Sequence, residues 1–278
     1  MRREPRLSAP VRMQEDDRLS IASLNTLGIP LVGGRLTARC AAIAAEFEAS
    51  DIDVVCFQEV FSYHHLRLLT TRMPSFSHVV YRPSLPGPAG GLVTVSRRSL
   101  PGHTFRRFAN TPTDSGLSRY TRFKASLRGC LITRPAGTRL AVVNTHPMAN
   151  TDKDWSEGNR FHTLQQGQLA ALADAVRAVS VPAVVCGDFN VARDSDLFRD
   201  FIRDSDLTDA FAGSCPPTFH AEYATPGHST HCIDFILHTE QVEVDDTGLL
   251  FTTKRPMPGG PGYVSDHLGL RATVGPGD

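Results

Sequence analysis

The chain has 278 residues, of which 41% are hydrophobic, and 29 lysines and arginines balance 29 aspartates and glutamates to give a net charge of zero. This length and apolar content are enough for one large domain with a substantial core. The neutral balance argues against a protein that binds duplex nucleic acid through a global basic field. Its apolar stretches are all shorter than a membrane span, so we expect no stable membrane insertion.

The two ends of the chain differ in composition from the rest. Residues 1–18 are charged and lack hydrophobic periodicity, which predicts a flexible arm, and residues 275–278 predict a frayed C-terminus. We expect a single catalytic domain over residues 19–274. The N-terminal segment has no apolar signal sequence, and the six cysteines lack the paired spacing of zinc sites or disulfide frameworks. A reducing cytoplasm is therefore the expected compartment, and the oligomeric state stays open.

Six apolar runs carry polar residues suited to metal or phosphate chemistry. Such runs predict buried strands, and strand ends that meet at one rim are where open sheets build their sites. The clearest run ends in Asp188 and Asn190, whose side chains share a face and pair an oxygen ligand with an amide donor. In chain order the polar groups are Asn25, Gln58-Glu59, Asn144-Thr145-His146, Asp188 with Asn190, Asp234 inside Ile233–Leu237, and Asp266-His267 after Tyr263–Ser265. Together they predict one shared site.

Helices are predicted between these strands. Apolar residues recur at helical spacing over residues 35–49 and 159–179, and a shorter helix is predicted after residues 194–196. Its buried side is expected to carry Leu197, Phe198, Phe201 and Ile202. Because the strands lack strict alternation, both faces of each should be covered. We therefore predict an α/β (α+β) fold, a four-layer α/β/β/α sandwich of two packed mixed sheets flanked by helices.

In this order the six motifs resemble those of the metal-dependent endonuclease/exonuclease/phosphatase superfamily, which has the deoxyribonuclease I-like fold. Each motif is short and common, but six in the right order are highly specific, and they cover residues 19–274. The resemblance implies the same four-layer sandwich. Within the superfamily, Leu24–Pro30 and Gly91–Arg97 are similar to the neutral sphingomyelinase branch.

The resemblance also implies a metal-dependent phosphoester hydrolase in which water attacks phosphorus in line. Glu59 is the implied principal ligand of Mg²⁺, with Mn²⁺ as the alternative, because oxygen ligands without clustered cysteine or histidine favour hard cations. Asn25 would steady the metal or a phosphate oxygen, and Asp266 would stand beside the metal or a second cation. His267 is the predicted general base, oriented by Asp234. A buried acid inside an apolar run also requires a partner on its own account.

The remaining predicted site residues act on water or phosphate. Asp188 would orient the attacking water or assist as a ligand. Asn144 and Asn190 would contact the phosphate, and His146 would donate to a nonbridging oxygen or to the leaving group. The number of metal ions, one or two, stays open.

Three classes of function remain for this site. The first is a phosphodiesterase that acts on a phospholipid head group, most like a sphingomyelinase. The second is an endonuclease or exonuclease on DNA or RNA, favoured by the arginine-rich and partly aromatic segment 97–128. The third, a non-catalytic binding protein of this fold, is disfavoured because every catalytic motif is intact. An inositol phosphate also remains open as substrate.

One further polar cluster lies close to the predicted base-orienting acid. His228 and His231 are three residues apart, but without further spaced cysteines they are more typical of a polar loop than of a zinc site. Cys232 follows them, at a position where members of the superfamily often carry a basic residue.

Overall fold

The computed structural model describes residues 18–29, 34–108, 116–224 and 229–277, and within them it has twelve β-strands and five α-helices. The strands are β1 (Leu19–Asn25), β2 (Val54–Gln58), β3 (His78–Val80), β4 (Val93–Ser96), β5 (His103–Arg107), β6 (Gly129–Thr133), β7 (Ala141–Thr145), β8 (Ala183–Asp188), β9 (Leu207–Asp209), β10 (Asp234–Thr239), β11 (Val242–Leu250) and β12 (Gly269–Pro276). The helices are α1 (Leu36–Glu48), α2 (Tyr63–Thr70), α3 (Arg119–Ser126), α4 (His162–Arg177) and α5 (Asp196–Ser205).

Four features named in the sequence analysis lie outside the described residues. They are the predicted arm over residues 1–17, Pro30 of the first motif, His228 and Asp278.

The described strands form two six-stranded mixed sheets, which confirms the predicted architecture. The first sheet has the order β11-β12-β1-β2-β4-β3 and the second has the order β5-β6-β7-β8-β10-β9. In each sheet a central parallel pair, β1 with β2 or β7 with β8, is flanked on both sides by antiparallel strands.

The burial pattern of β2 explains why its sequence does not alternate. Val54 and Cys56 face the core between the two sheets, whereas Val55 and Phe57 belong to a second apolar cluster that includes residues of α1 and α2. On the other side of the molecule, α4 and α5 contribute Leu172, Phe198 and other residues to the core that includes the second sheet. Helices therefore cover the outer face of each sheet, as the α/β/β/α sandwich requires.

The three predicted helices are present and two short ones were missed. Predicted helices 35–49, 159–179 and the one after residue 194 correspond to α1, α4 and α5. Leu197, Phe198 and Phe201 of α5 are buried and Ile202 is half-buried, and the Ser195 hydroxyl caps the helix. Helices α2 and α3 have eight residues each, which is too short for a clear hydrophobic period.

Two expectations near the C-terminus were wrong. Tyr263–Ser265 does not form a strand, because β12 begins only at Gly269, and Asp266-His267 therefore precede a strand instead of following one. The same strand continues to Pro276 and pairs with β11 as far as Val242, so Gly275 and Pro276 belong to the sheet and not to a frayed end. Among the described residues, no helix is long and apolar enough to cross a membrane.

Strand direction explains how the polar groups meet at one rim. Asn25, Gln58, Thr145 and Asp188 end the two parallel pairs. Strand β10 is antiparallel to β8, and Asp234, its first residue, pairs in register with Asp188, the last residue of β8. Asp234 thus lies at the start of its strand, where the sequence suggested a position inside the run. Strand β12 likewise runs antiparallel to β1 and begins just after His267.

Candidate active site

Asp188 lies at the centre of the polar groups that meet at this rim. One carboxylate oxygen accepts the backbone N–H of Asn190 at 2.9 Å, and the other accepts the side-chain amide of Asn25 at 2.9 Å. The same second oxygen lies 3.5 Å from Nε2 of His146 and 3.8 Å from Nε2 of His267. Burial, together with the neighbouring Asp234 carboxylate, raises the pKa of Asp188 to about 7.

His267 is held as predicted by the acid that begins β10. Its Nδ1 lies 2.8 Å from Oδ2 of Asp234, and its Nε2 faces Asp188 and lies 4.0 Å from Asp266. Burial opposes the charged ring, but the carboxylates of these three aspartates outweigh it and raise the pKa of His267 well above its usual value. These acids therefore favour the doubly protonated ring.

His146 has a different partner, which the sequence analysis did not single out. Its Nδ1 lies 2.8 Å from the Arg128 guanidinium, and both side chains are buried. Burial and the adjacent guanidinium lower the pKa of His146 well below its usual value. His146 is therefore a neutral ring, whereas His267 is a cation.

Arg128 follows α3 and directly precedes β6. Its guanidinium lies over the Phe61 ring at 5.6 Å and 3.5 Å from the carbonyl oxygen of Gly90. Because β6 runs antiparallel to β7, the start of β6 meets the end of β7, where His146 follows. A basic residue just before an apolar run was the signal that could have identified Arg128, since Asp234 likewise stands where an apolar strand begins.

Glu59 and Asp266 are the two carboxylates that fit the implied Mg²⁺. Glu59 is half-buried and has a left-handed backbone with φ of 63°, and one carboxylate oxygen accepts the N–H of Gly28 at 3.1 Å. A Cβ at Gly28 would lie 1.7 Å from the Glu59 carbonyl oxygen, so this close approach requires glycine. Burial and then the Asp266 carboxylate raise the pKa of Glu59. Two half-buried carboxylates that repel each other are a donor set that a hard cation stabilises.

Asn25 was predicted to steady the metal, and it also orients Asp188. Its amide nitrogen donates to Asp188, and its side-chain oxygen accepts the N–H of Leu27 at 3.0 Å. The second lone pair of that oxygen remains for a cation, so Asn25 is compatible with the predicted ligand set.

Asn144 does not have the predicted phosphate contact. Its two amide hydrogens are donated to the carbonyl oxygens of Phe57 and Val93, both at 3.0 Å, and its side-chain oxygen accepts Gln58 at 2.9 Å. The side chain is fully buried and joins the second sheet to the first. No amide hydrogen is left for a substrate, which corrects the prediction.

Asn190 is half-buried beside Asp188, at the position predicted for a phosphate contact. Its side-chain amide donates to the Pro147 carbonyl oxygen at 3.3 Å, which leaves its second hydrogen for another acceptor. Its own carbonyl oxygen accepts the Trp155 ring N–H at 3.1 Å and the Gln165 amide at 2.8 Å. These contacts hold its left-handed backbone, with φ of 54°.

Among the described residues, one group of three side chains could bring its ligand atoms to a single metal ion. Ligand atoms of Asp188, Asp234 and His267 lie within 4.8 Å of one another. This trio differs from the predicted ligands Glu59, Asn25 and Asp266. Within the trio, Nδ1 of His267 is already hydrogen-bonded to Oδ2 of Asp234.

A strap over residues 218–220 connects His267 to Asp234, and no pattern in the sequence predicted it. The Thr218 hydroxyl accepts the N–H groups of Ile233 and Asp234 at 3.0 and 3.1 Å. Phe219 pairs with His267 through the backbone and packs edge-on against its ring at 5.2 Å. The strap therefore fixes the position of His267 relative to Asp234.

His231 lies in a surface contact outside this cluster. Its Nδ1 lies 3.1 Å from Asp194, and its ring packs against Trp155 at 4.8 Å. The neighbouring Cys232 accepts a hydrogen bond from Arg193 at 3.4 Å, so a guanidinium lies beside the thiol at the position where a basic residue was expected.

The described part of the arginine-rich segment 97–128 contains the edge strand β5 and helix α3. Strand β5 is largely exposed. On α3, Tyr120 is 70% exposed and Phe123 is 61% exposed, in a helix that also carries Arg119, Arg122 and Lys124. The helix leads directly to Arg128, so this basic and aromatic surface adjoins the site.

The similarity of this chain to other proteins covers nearly all of it. It is 23% identical to Nocturnin of Mus musculus over 88% of its own length, and it spans 60% of the length of that protein. The structure of D. rerio TDP2 complexed with single strand DNA product matches with a TM-score of 0.69 and 18% identity, over 93% of this chain and 99% of that one. Sphingomyelinase C from Streptomyces griseocarneus matches with a TM-score of 0.65 and 18% identity, over 92% of this chain and 99% of that one.

These structural likenesses concern the fold, and the sequence match identifies the family. The model of the Endonuclease/Exonuclease/phosphatase family matches residues 22–267, which include all the site residues described above. The superfamily resemblance found in the sequence is thus confirmed. The chain belongs to the Endonuclease/Exonuclease/phosphatase family.

Proposed function

We propose that this chain is a metal-dependent phosphoester hydrolase that activates water with His267. The observation that carries the proposal is the geometry of His267, whose Nδ1 is held by Asp234 at 2.8 Å while Nε2 faces Asp188 and Asp266. A ring held in this way presents one nitrogen to a water molecule and stabilises the charge that it gains through the other.

The acids around His267 make proton acceptance favourable. They also keep the ring protonated until their charge is neutralised, because each carboxylate raises its pKa. Glu59 and Asp266, with Asn25, would hold Mg²⁺, or Mn²⁺ in its place. When bound, the cation would neutralise phosphate oxygens as a Lewis acid. Asp188 would orient the attacking water, and Asn190 and His146 would donate hydrogen bonds to the phosphate.

We propose a phospholipid head group as the first substrate class, as in a sphingomyelinase-type phosphodiesterase. The likeness to sphingomyelinase C and the motifs Leu24–Pro30 and Gly91–Arg97 support it. A nuclease activity on DNA or RNA is the second candidate. The exposed Tyr120 and Phe123 among the basic residues of α3 favour it, because aromatic side chains stack on bases and basic ones neutralise phosphates. TDP2, which shares the fold, is described with a single strand DNA product.

The proposed compartment is the cytoplasm. All six cysteines are free thiols and all are buried, as expected for a protein that works under reducing conditions.

A parallel hydrolysis assay tests the activity and separates the substrates. Sphingomyelin, plasmid DNA, RNA and an inositol polyphosphate are each incubated with the chain in Mg²⁺ and in chelator. We expect turnover of one class in Mg²⁺ and none in chelator. Full turnover in chelator contradicts the metal-dependent mechanism.

A variant of the proposed ligand completes this test. A cation that binds the folded state raises its unfolding temperature, so added Mg²⁺ should stabilise the wild type. Glu59→Gln should abolish both this stabilisation and turnover. Glu240→Gln, at an exposed turn, is the matched control and should behave as the wild type. If Glu59→Gln keeps both properties, Glu59 does not hold the cation.

A further inference from the structure

The inference concerns Arg128, a buried cation to which the proposed mechanism assigns no role. Arg128 is 7% exposed, and its guanidinium lies between the Phe61 ring, the Gly90 carbonyl oxygen and Nδ1 of His146. The shortest of these contacts is the one to His146, at 2.8 Å.

The chemistry of arginine determines the direction of that hydrogen bond. A guanidinium has five N–H donors and no acceptor, so Nδ1 of His146 must accept with its lone pair. The single proton of the neutral ring is therefore on Nε2, which lies 3.5 Å from Oδ2 of Asp188. A ring with the proton on Nδ1 would direct a second N–H at the guanidinium and leave Nε2 without a hydrogen.

We propose that Arg128 is a positioning residue that fixes His146 as a neutral ring with its donor hydrogen on Nε2. This inference rests on the proposed function for its consequence, since an Nε2–H donor is what His146 needs to bind a phosphate oxygen. The Nε2–H group lies next to Asp188, which in the proposed function orients the attacking water. Arg128 then acts on the substrate through the histidine.

The neighbouring structure keeps Arg128 in this position. Its backbone N–H donates to the Ala125 carbonyl oxygen at 3.1 Å at the end of α3, and Gly129 follows at the start of β6. A Cβ at Gly129 would lie 2.2 Å from the Arg106 carbonyl oxygen, so the close pairing of β5 and β6 at this point requires glycine. The strand pair thereby sets where Arg128 stands relative to the end of β7.

The proton position can be measured without substrate. Long-range ¹H–¹⁵N correlation spectra of the labelled full chain distinguish the two neutral tautomers of a histidine ring, and His146→Asn identifies the His146 signals by their loss. At pH 7.5 in chelator we expect the Nε2–H pattern in the wild type. In Arg128→Met nothing donates to Nδ1, so we expect the uniform Nε2–H pattern to give way to a mixture in which Nδ1 also carries a proton. In Arg128→Lys, which keeps a donor without an acceptor, the Nε2–H pattern should persist.

A matched control removes another arginine that lies over an aromatic ring. Arg97 packs over Phe76 at 4.3 Å, and Arg97→Met should leave the His146 pattern unchanged. An Nδ1–H or doubly protonated ring in the wild type overturns the inference, and so does an unchanged pattern in Arg128→Met. If Arg128→Met does not fold, the wild-type and Arg128→Lys spectra still decide the result.

Kinetics then test the consequence for turnover. Arg128→Met should lower kcat by about 10²- to 10³-fold, as for the loss of one hydrogen-bond donor to the transition state, and His146→Ala combined with it should cost little more. An unchanged kcat overturns the positioning role. Failure of every substrate in the hydrolysis assay would instead reject the proposed function, while the spectra would still report whether Arg128 sets the tautomer.

Discussion

Two histidines face the same carboxylate oxygen, but their surroundings favour a neutral ring at His146 and a charged ring at His267. Nε2 of His146 lies 3.5 Å from Oδ2 of Asp188 and Nε2 of His267 lies 3.8 Å from it. Arg128 engages Nδ1 of the first ring and Asp234 engages Nδ1 of the second. The pKa of His146 is lowered and that of His267 is raised. Burial lowers the pKa of both rings and Arg128 lowers that of His146 further, whereas the carboxylates of Asp234, Asp188 and Asp266 together raise that of His267.

Because their surroundings differ, the two rings are suited to different tasks. A neutral ring that cannot readily gain a proton is suited to donate one hydrogen bond to an oxygen. A ring backed by a carboxylate is suited to accept a proton and keep it. Each partner begins a strand, Asp234 at the start of β10 and Arg128 just before β6.

The largest expected effect comes from breaking the Asp234–His267 pair. Asp234→Asn should keep the fold and lower kcat by roughly 10⁴-fold, because the ring loses the group that orients it and stabilises its cation. His267→Ala should cost a similar factor, and the double variant little more. Steady-state kinetics on the substrate identified in the parallel assay measure these losses.

The chain offers a matched control for that pair. Asp194 and His231 make the same kind of contact at 3.1 Å in the surface loop. Asp194→Asn and His231→Ala should keep nearly normal kcat. Near-normal turnover in Asp234→Asn would show that His267 is not the base.

Removing the other histidine should cost less. His146→Ala is expected to lower kcat by about 10²- to 10³-fold, because one donor to the transition state is lost while the base is kept. The pH dependence of the remaining activity should match that of the wild type, since His146 is neutral across the working range. A loss as large as that of His267→Ala, with an altered pH profile, would contradict the division of roles.

The pH dependence of stability should have opposite signs for the two rings. The folded pKa of His267 lies above the unfolded value of about 6.5, so its contribution is present below pH 6.5 and is lost as pH rises through the folded pKa. The folded pKa of His146 lies below that value, so stability is lost as pH falls below 6.5 towards it.

Urea unfolding in chelator from pH 5 to about 8 measures both slopes against those of two variants. His267→Gln should remove a contribution that falls with rising pH. His146→Gln should remove one that rises with pH. If the two removed contributions change with pH in the same direction, the two rings do not differ in charge as described.

The smallest effect concerns the surface that leads to Arg128. Arg119→Ala combined with Arg122→Ala should flatten the salt dependence of nucleic-acid binding by roughly one unit of slope per lost phosphate contact. Turnover of a small phosphodiester should not change, because both residues lie on α3 and outside the catalytic cluster. An unchanged slope would favour the phospholipid substrate.

Most residues of the site could be predicted from the sequence alone, but their charge states could not. Apolar runs with polar residues beside or within them predicted Glu59, Asp188, Asp234 and His267, because an apolar run that meets an acid is a local pattern. Arg128 was missed, since a single arginine after a short polar helix resembles an ordinary surface residue. Asn144 stood in a matching motif, yet its hydrogens are used by two carbonyl oxygens of the other sheet.

Secondary structure likewise includes elements that a local sequence pattern predicts and elements that it does not. Helices α1, α4 and α5 have enough residues for a clear apolar period, whereas the eight-residue α2 and α3 do not. Tyr263–Ser265 has the apolar composition of a strand but forms a bend, from which the Ser265 hydroxyl donates to the Asn25 carbonyl oxygen at 2.6 Å and accepts the N–H of His267 at 3.2 Å. The contact with Asn25 spans 240 positions of chain and leaves no local pattern.

The sequence by itself determined the family, the layered sandwich with its three longer helices, and the acids and histidines at the sheet rim. These follow from hydrophobic periodicity and from short motifs whose members are close in sequence. Only the tertiary structure decided which groups touch, because Asn25 and Asp188 meet across 163 positions of chain. A pKa depends on burial and on charges a few ångströms away. That is why the opposite states of His146 and His267 could be found only once Arg128 and Asp234 were placed beside them.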